Sequence, residues 1–126
     1  MTTSTSTYEP TKQKQNVELL EIDEVIDLSH DSDPKQRAEA VRIMCPCQLK
    51  MDIPRVWDRL IEMAQDESII VRKNVFHVLG DGSPRYREQQ IIGVIERMHD
   101  DPDPTLRRRV RKFLAHYRRG GRLNVF

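Results

Sequence analysis

Asp31-Ser32-Asp33-Pro34-Lys35-Gln36-Arg37 opens a pattern that recurs as Asp66-Glu67-Ser68-Ile69-Ile70-Val71-Arg72 and again as Asp101-Pro102-Asp103-Pro104-Thr105-Leu106-Arg107. The spacing is 35 residues both times, without insertion, and each copy sets an Asp six residues before an Arg. Asp33, Ser68 and Asp103 stand where a short polar side chain accepts the unsatisfied N–H groups of a new helix. In two copies Pro follows directly, at the one helical position where its missing N–H costs nothing. Asp33 and Gln36 also have the spacing of a capping box. A strict period of this length marks a repeat array.

Outward from these turns the apolar residues take a helical period. Leu19, Ile22, Val25, Ile26 and Leu28 precede the first copy; Ala40, Val41, Ile43 and Met44 follow it until Pro46. Shifted by 35 residues, Ile22, Val25 and Leu28 become Trp57, Leu60 and Met63, then Ile92, Ile95 and Met98. Ala40 becomes Val75 and Val110; Met44 becomes Leu79 and Leu114. Two apolar faces therefore stay in register through three units. The pattern predicts helices at roughly 17–29, 34–45, 54–65, 69–80, 84–99 and 104–118. Ser83-Pro84 reads as the start of the fifth, Gly80 and Gly82 as the end of the fourth, and Gly120-Gly121 as the end of the last. Residues 1–16, rich in Ser, Thr, Gln and Lys, read as a disordered tail.

The chain has 126 residues, 33% of them charged and only 6% aromatic, which fits a thin, solvated helical protein better than a deep core. Its net charge of +1 conceals a polarity. Residues 17–33 hold seven acids and no Lys or Arg, whereas residues 107–122 hold eight Lys or Arg and no acid. Cys45 and Cys47 are too close to staple a fold without strain, so reduced thiols and a cytoplasmic setting are expected. No apolar run approaches a membrane span, and the N-terminus lacks a secretory pattern.

Helix pairs of this length, with Asp in the turn and Arg opening the second helix, resemble HEAT repeats. The resemblance covers residues 17–118 and rests on Asp31 with Arg37, Asp66 with Arg72, and Asp101 with Arg107. It departs from the pattern where Ser68-Ile69 replaces Asp-Pro. It implies an all-α, right-handed α-α superhelix of three HEAT-like pairs, at about 17–47, 53–82 and 84–118, with a tail at 119–126. It also implies that those six Asp and Arg residues form a polar ladder between neighbouring turns. The short first helices resemble, more narrowly, bacterial HEAT-like proteins of the armadillo-type class, some of which help attach bilins to phycobiliproteins. No residue here carries that chemistry over.

Function is expected on the surface of the second helices. Three solvent-facing columns follow from the register: Arg42, His77 and Lys112; Ala38, Lys73 and Arg108; Glu39, Asn74 and Arg109. They become more basic toward the C-terminus, and Arg118 and Arg119 extend them. The leading reading is a non-enzymatic adaptor or scaffold that binds an acidic protein surface through Arg42, Lys73, His77, Arg108, Arg109 and Lys112. Nucleic acid is the alternative partner, but the pI of about 7.8 is low for it and Tyr117 is the only nearby candidate for base stacking. A second alternative is a metal site at Cys45, Cys47 and His77, with Asp81 as a fourth ligand, since thiolate and imidazole suit zinc. Cys-x-Cys is not the usual zinc spacing, and a small buried Cys45 with a helix-stopping Pro46 explains the segment as well. No catalytic constellation and no cofactor is indicated. The acidic first helix and basic last helix are compatible with a monomer or with weak head-to-tail self-association.

Overall fold

A computed structural model of the chain describes residues 21–45 and 52–120. Among these residues every regular element is helical. Helix α1 covers residues 21–28 of the described chain. It is followed by α2 (Pro34–Ile43), α3 (Pro54–Met63), α4 (Ile69–Asp81), α5 (Glu88–Arg97) and α6 (Pro104–Arg118). Short 3-10 turns at Arg85–Arg87 and Met98–Asp100 flank α5. The tail predicted at 1–16, the start of the first helix, Cys47 and the segment after Gly120 lie outside the described residues.

The turns decide where the second helices begin. Pro34 and Pro104 open α2 and α6, and the Asp33 and Asp103 carboxylates accept the N–H groups of Lys35 and Leu106, each at 2.9 Å. Ser68 differs from expectation: it occupies the cap position of α4, but its hydroxyl makes no capping bond. Gln36 is exposed and gives Asp33 only its backbone N–H, so the capping box is not closed. What all three turns share is the earlier Asp. Asp31, Asp66 and Asp101 accept the N–H two residues on, at 2.8, 2.8 and 2.9 Å. This local bond lets an Asp side chain close a turn. At α6 the end is set by Gly120, whose φ of 97° takes the left-handed conformation that glycine tolerates.

Two helix boundaries depart from the sequence reading. The α-helical part of α5 starts at Glu88, after a 3-10 turn, because the Ser83 side chain is turned inward and fully buried instead of toward the next N–H groups. Helix α4 continues through Gly80 to Asp81, so Gly80 is an interior position and not an end.

Neighbouring helices bury the two repeated apolar faces. The second helices lie side by side, α2 against α4 and α4 against α6, and α4 and α6 also pack on the first helices α3 and α5. Trp57, Leu60 and Met63 fill the middle of the first-helix layer, and Ile92, Ile95 and Met98 continue it. Ala40, Val75 and Val110 are fully buried in the second layer, as are Met44, Leu79 and Leu114 to within 1%. Truncating such a residue to Ala typically costs about 2–5 kcal/mol. On the first-helix side, Arg59 bonds the Ser29 hydroxyl and carbonyl at 2.8 and 2.9 Å, and so satisfies the end of α1.

The arginines tie one turn to the next. Arg37 donates from Nη1 to the carbonyls of Asp31 and Ser32 at 2.9 and 3.1 Å, and from Nε and Nη2 to both oxygens of Asp66 at 2.9 and 3.0 Å. Arg72 repeats this with the carbonyls of Asp66 and Glu67 at 3.0 and 3.1 Å and the Asp101 carboxylate at 2.8 and 3.1 Å. Each guanidinium thus spans its own turn and the carboxylate one repeat ahead. Burial alone would raise the Asp66 and Asp101 carboxyls. The arginine hydrogen bonds, the N–H of Ser68 or Asp103 and the nearby guanidinium charges outweigh it, and both groups sit below their ordinary value.

Two outcomes follow. Arg72→Met leaves the nearly buried Asp101 charge without its partner and is expected to cost about 3 kcal/mol in urea unfolding, while Arg72→Met/Asp101→Asn recovers part of that loss. Equal losses in the single and double variants count against the pairing. The depressed carboxyls also fix a pH dependence. Unfolding lets Asp66 and Asp101 take up protons more readily, so their contribution is complete above about pH 5 and declines as the pH falls through about 3.9 toward the lower folded values. The melting-temperature gap between wild type and Asp101→Asn should therefore be constant from neutral to mildly acidic pH and close below it.

Candidate functional site

Helix α6 is built in stripes. Leu106, Val110 and Leu114 point into the core. Arg109, Lys112, Phe113, His116 and Arg119 follow at the i, i+3, i+4, i+7, i+10 spacing that puts side chains on one face. That face meets Phe76 of α4 across a groove of about 490 Å³, lined by Phe76, Arg109, Lys112, Phe113, His116 and Arg119. The two rings meet edge to face, with centroids 5.8 Å apart and planes at 83°, an arrangement favoured by their opposed quadrupoles. Phe113 lies over Gly80 of the neighbouring second helix. A Cβ there would sit 3.5 Å from the Phe113 ring. The groove has an apolar floor and a rim of three permanent cations plus a histidine.

None of those four basic side chains has an ion-pair or hydrogen-bond partner among the described residues. Two other concavities carry ion pairs among their lining residues. A groove of about 380 Å³ on the first-helix side includes Asp23, Arg55, Arg59 and Glu62, and these pair as Arg55–Asp23 and Arg59–Glu62, both at 3.0 Å. A notch of about 270 Å³ beside the turns includes Asp66, Arg72 and Asp101, whose polar groups are engaged with one another or with Arg37. Asp27 in the first and Arg97 in the second have no ion-pair partner among the described residues; the α4/α6 groove differs in that its polar lining residues are all basic and none is paired.

Of the predicted binding residues, Arg109 and Lys112 line the groove. Lys73, His77 and Arg108 are exposed but do not line it. Arg42 is ion-paired with Glu39 on its own helix, one Nε···Oε1 distance being 3.1 Å. Two members of the predicted columns are not solvent-facing. Ala38 is buried at the α2/α4 contact, and Asn74 donates its side-chain amide to the Ala38 carbonyl at 3.1 Å. Arg119 joins the rim, whereas Arg118 turns toward Glu96 at 3.8 Å. Tyr117 is not offered to a partner. Its hydroxyl donates to Glu88 at 3.0 Å, and that bond, with burial, raises the phenol above its ordinary value. The sequence reading missed Phe76 and Phe113. The signal was a size exchange in the register: Phe113 takes the place of Ile43 and Val78, opposite a glycine where other repeats have Cys45 and Ala115.

The Cys-Pro-Cys segment is only partly described. Cys45 is buried in the core and His77 is exposed, while Cys47 lies outside the described residues. Among the described residues no group of three His, Cys, Asp or Glu is disposed to hold a metal ion. None of the described helices is long and apolar enough to cross a membrane.

A family model for HEAT repeats matches residues 22–115. No curated protein and no solved structure matches the chain. HEAT repeats commonly act as protein-interaction scaffolds, and the family is generally non-enzymatic. With helix pairs in a 35-residue register and a match over most of its length, the chain belongs to the HEAT-repeat family.

Proposed function

We propose that this chain is a non-enzymatic adaptor that binds an acidic protein segment through the α4/α6 groove. The observation that carries the reading is the pairing of an aromatic floor, Phe76 and Phe113, with four basic side chains that have no partner of their own. An apolar anchor of the partner covers the floor, and its carboxylates meet Arg109, Lys112, His116 and Arg119. Apolar contact supplies most of the affinity in such an arrangement, while the charges supply steering and orientation. Lys73 and Arg108 extend the basic surface beside the groove. The cytoplasm is the compartment proposed for it, from the reduced-thiol reading of Cys45 and Cys47.

A second reading is phosphate recognition by the same rim, favoured by the absence of any acid among the groove's lining residues. It ranks below the first because Phe76 is 8% exposed and meets Phe113 edge to face, so the pair forms a floor and not open plates for stacking bases.

Affinity capture from lysate of the source cells, with and without nuclease, separates the two. Wild type is expected to retain a protein despite nuclease. Arg109→Glu/Lys112→Glu is expected to lose it by tenfold or more, and Arg55→Glu, on the first-helix side, to keep it. Material that disappears with nuclease, and whose binding weakens steeply with salt, supports the phosphate reading instead. Retention by both variants removes the groove from either role.

A further inference from the structure

The arginine ladder does not finish at either end of the described chain. Asp66 and Asp101 each bind an arginine from the preceding repeat as well as a local N–H. Asp31 takes only the Asp33 N–H, at 2.8 Å, and no arginine among the described residues bonds its carboxylate. At the other end, Arg107 donates from Nη1 to the Asp101 carbonyl at 2.9 Å, as Arg37 and Arg72 do in their own turns. No carboxylate among the described residues receives its remaining donors. Among the described residues the ladder therefore has an unfilled negative rung at Asp31 and an unfilled positive rung at Arg107.

The positions around these rungs change in the same sense. The 35-residue register places Arg111 where Val41 and Phe76 stand, and Arg108 where Ala38 and Lys73 stand. Val41, Phe76 and Ala38 are buried between repeats, whereas Arg108 and Arg111 are exposed. At the head, Glu39 holds the position of Asn74, the residue that reaches across to the preceding second helix, and the exposed Gln36 holds that of the buried Val71. Apolar packing between repeats thus gives way to polar Gln36 and Glu39 at one end and to base at the other.

We propose that a second copy of this chain docks head to tail, its Asp31 accepting the open donors of Arg107 and its Glu39, which Arg42 also holds, facing Arg108, while Arg111 stays with Asp100 of its own chain at 3.0 Å. The contact continues the rung geometry already present twice inside the chain. It is heterologous, so each docking leaves a fresh head and a fresh tail, and growth does not close at a dimer. Because the end faces are charged and not apolar, the association is weak and sensitive to salt. It leaves the groove itself free, since neither Asp31 nor Arg107 nor Arg108 lines it.

Sedimentation velocity on the full chain, from micromolar to near-millimolar concentration, tests this. At low salt the average mass of wild type is expected to rise past that of a dimer with concentration, and to return to monomer at high salt. Asp31→Arg and Arg107→Asp are each expected to remain monomeric. An equimolar mixture of the two is expected to associate again at low salt, because one variant keeps a working tail, the other a working head, and the two reversed ends complement each other in charge. Asp31→Asn and Arg107→Gln, which keep a polar side chain at each turn without the charge, should weaken association in the same direction if either reversal fails to fold. A wild type that stays monomeric at low salt, stops at a dimer, or associates equally well in the single variants overturns the proposal. So does a mixture that stays monomeric at low salt.

Discussion

An arginine fork can satisfy carbonyls and a carboxylate together only if both are held in fixed places, and Arg72 is where this constraint meets the fold. Its turn exposes two carbonyls that no helix can use, and its neighbour, Asp101, presents a carboxylate with side-chain exposure of only 4%. Each need alone would be costly, since a buried carboxylate and orphaned carbonyls both pay for leaving water. One planar cation answers both, and the same solution recurs at Arg37. The apolar layers set the spacing of adjacent helix pairs by interlocking side chains. The bidentate rungs fix their offset, and that offset in turn places α6 against Phe76 of α4.

The fold was legible because its signal repeats. One Asp-to-Arg interval, seen once, means little; three at an unvarying spacing, with two apolar faces in register, leave few alternatives. Boundaries read well where the backbone chemistry was local, as at Pro34 and Pro104. They read less well at Ser83, whose side chain is drawn inward by tertiary packing that no nearby residue announces. Ser68 misled in another way: the type of residue was right for a cap, yet the turn is closed by Asp66 two residues earlier.

The groove was half legible. Arg109 and Lys112 stand out as charges on a face defined by subtraction from the core. Register alone could not tell which cations are already occupied: Arg42 has Glu39 on its own helix, and Arg118 leans toward Glu96. Nor could it reveal that Phe113 settles over Gly80, because that depends on the spacing between two helices and not on the pattern along either one. Aromatic residues at repeat positions read first as core, and Phe76 is indeed nearly buried; its exposed edge acquires meaning only beside Phe113.

The groove straddles two repeats, with Phe76 from the second and its remaining lining residues from the third. In a quasi-one-dimensional array the terminal unit is held on one side only, and it detaches more readily than the middle. A molecule seated on both Phe76 and the α6 stripe therefore acts as a clasp across that junction. Occupancy and fraying become one coupled equilibrium: whatever loosens the last helix pair lowers the apparent affinity by the fraction opened, and whatever fills the groove closes the pair by the same linkage.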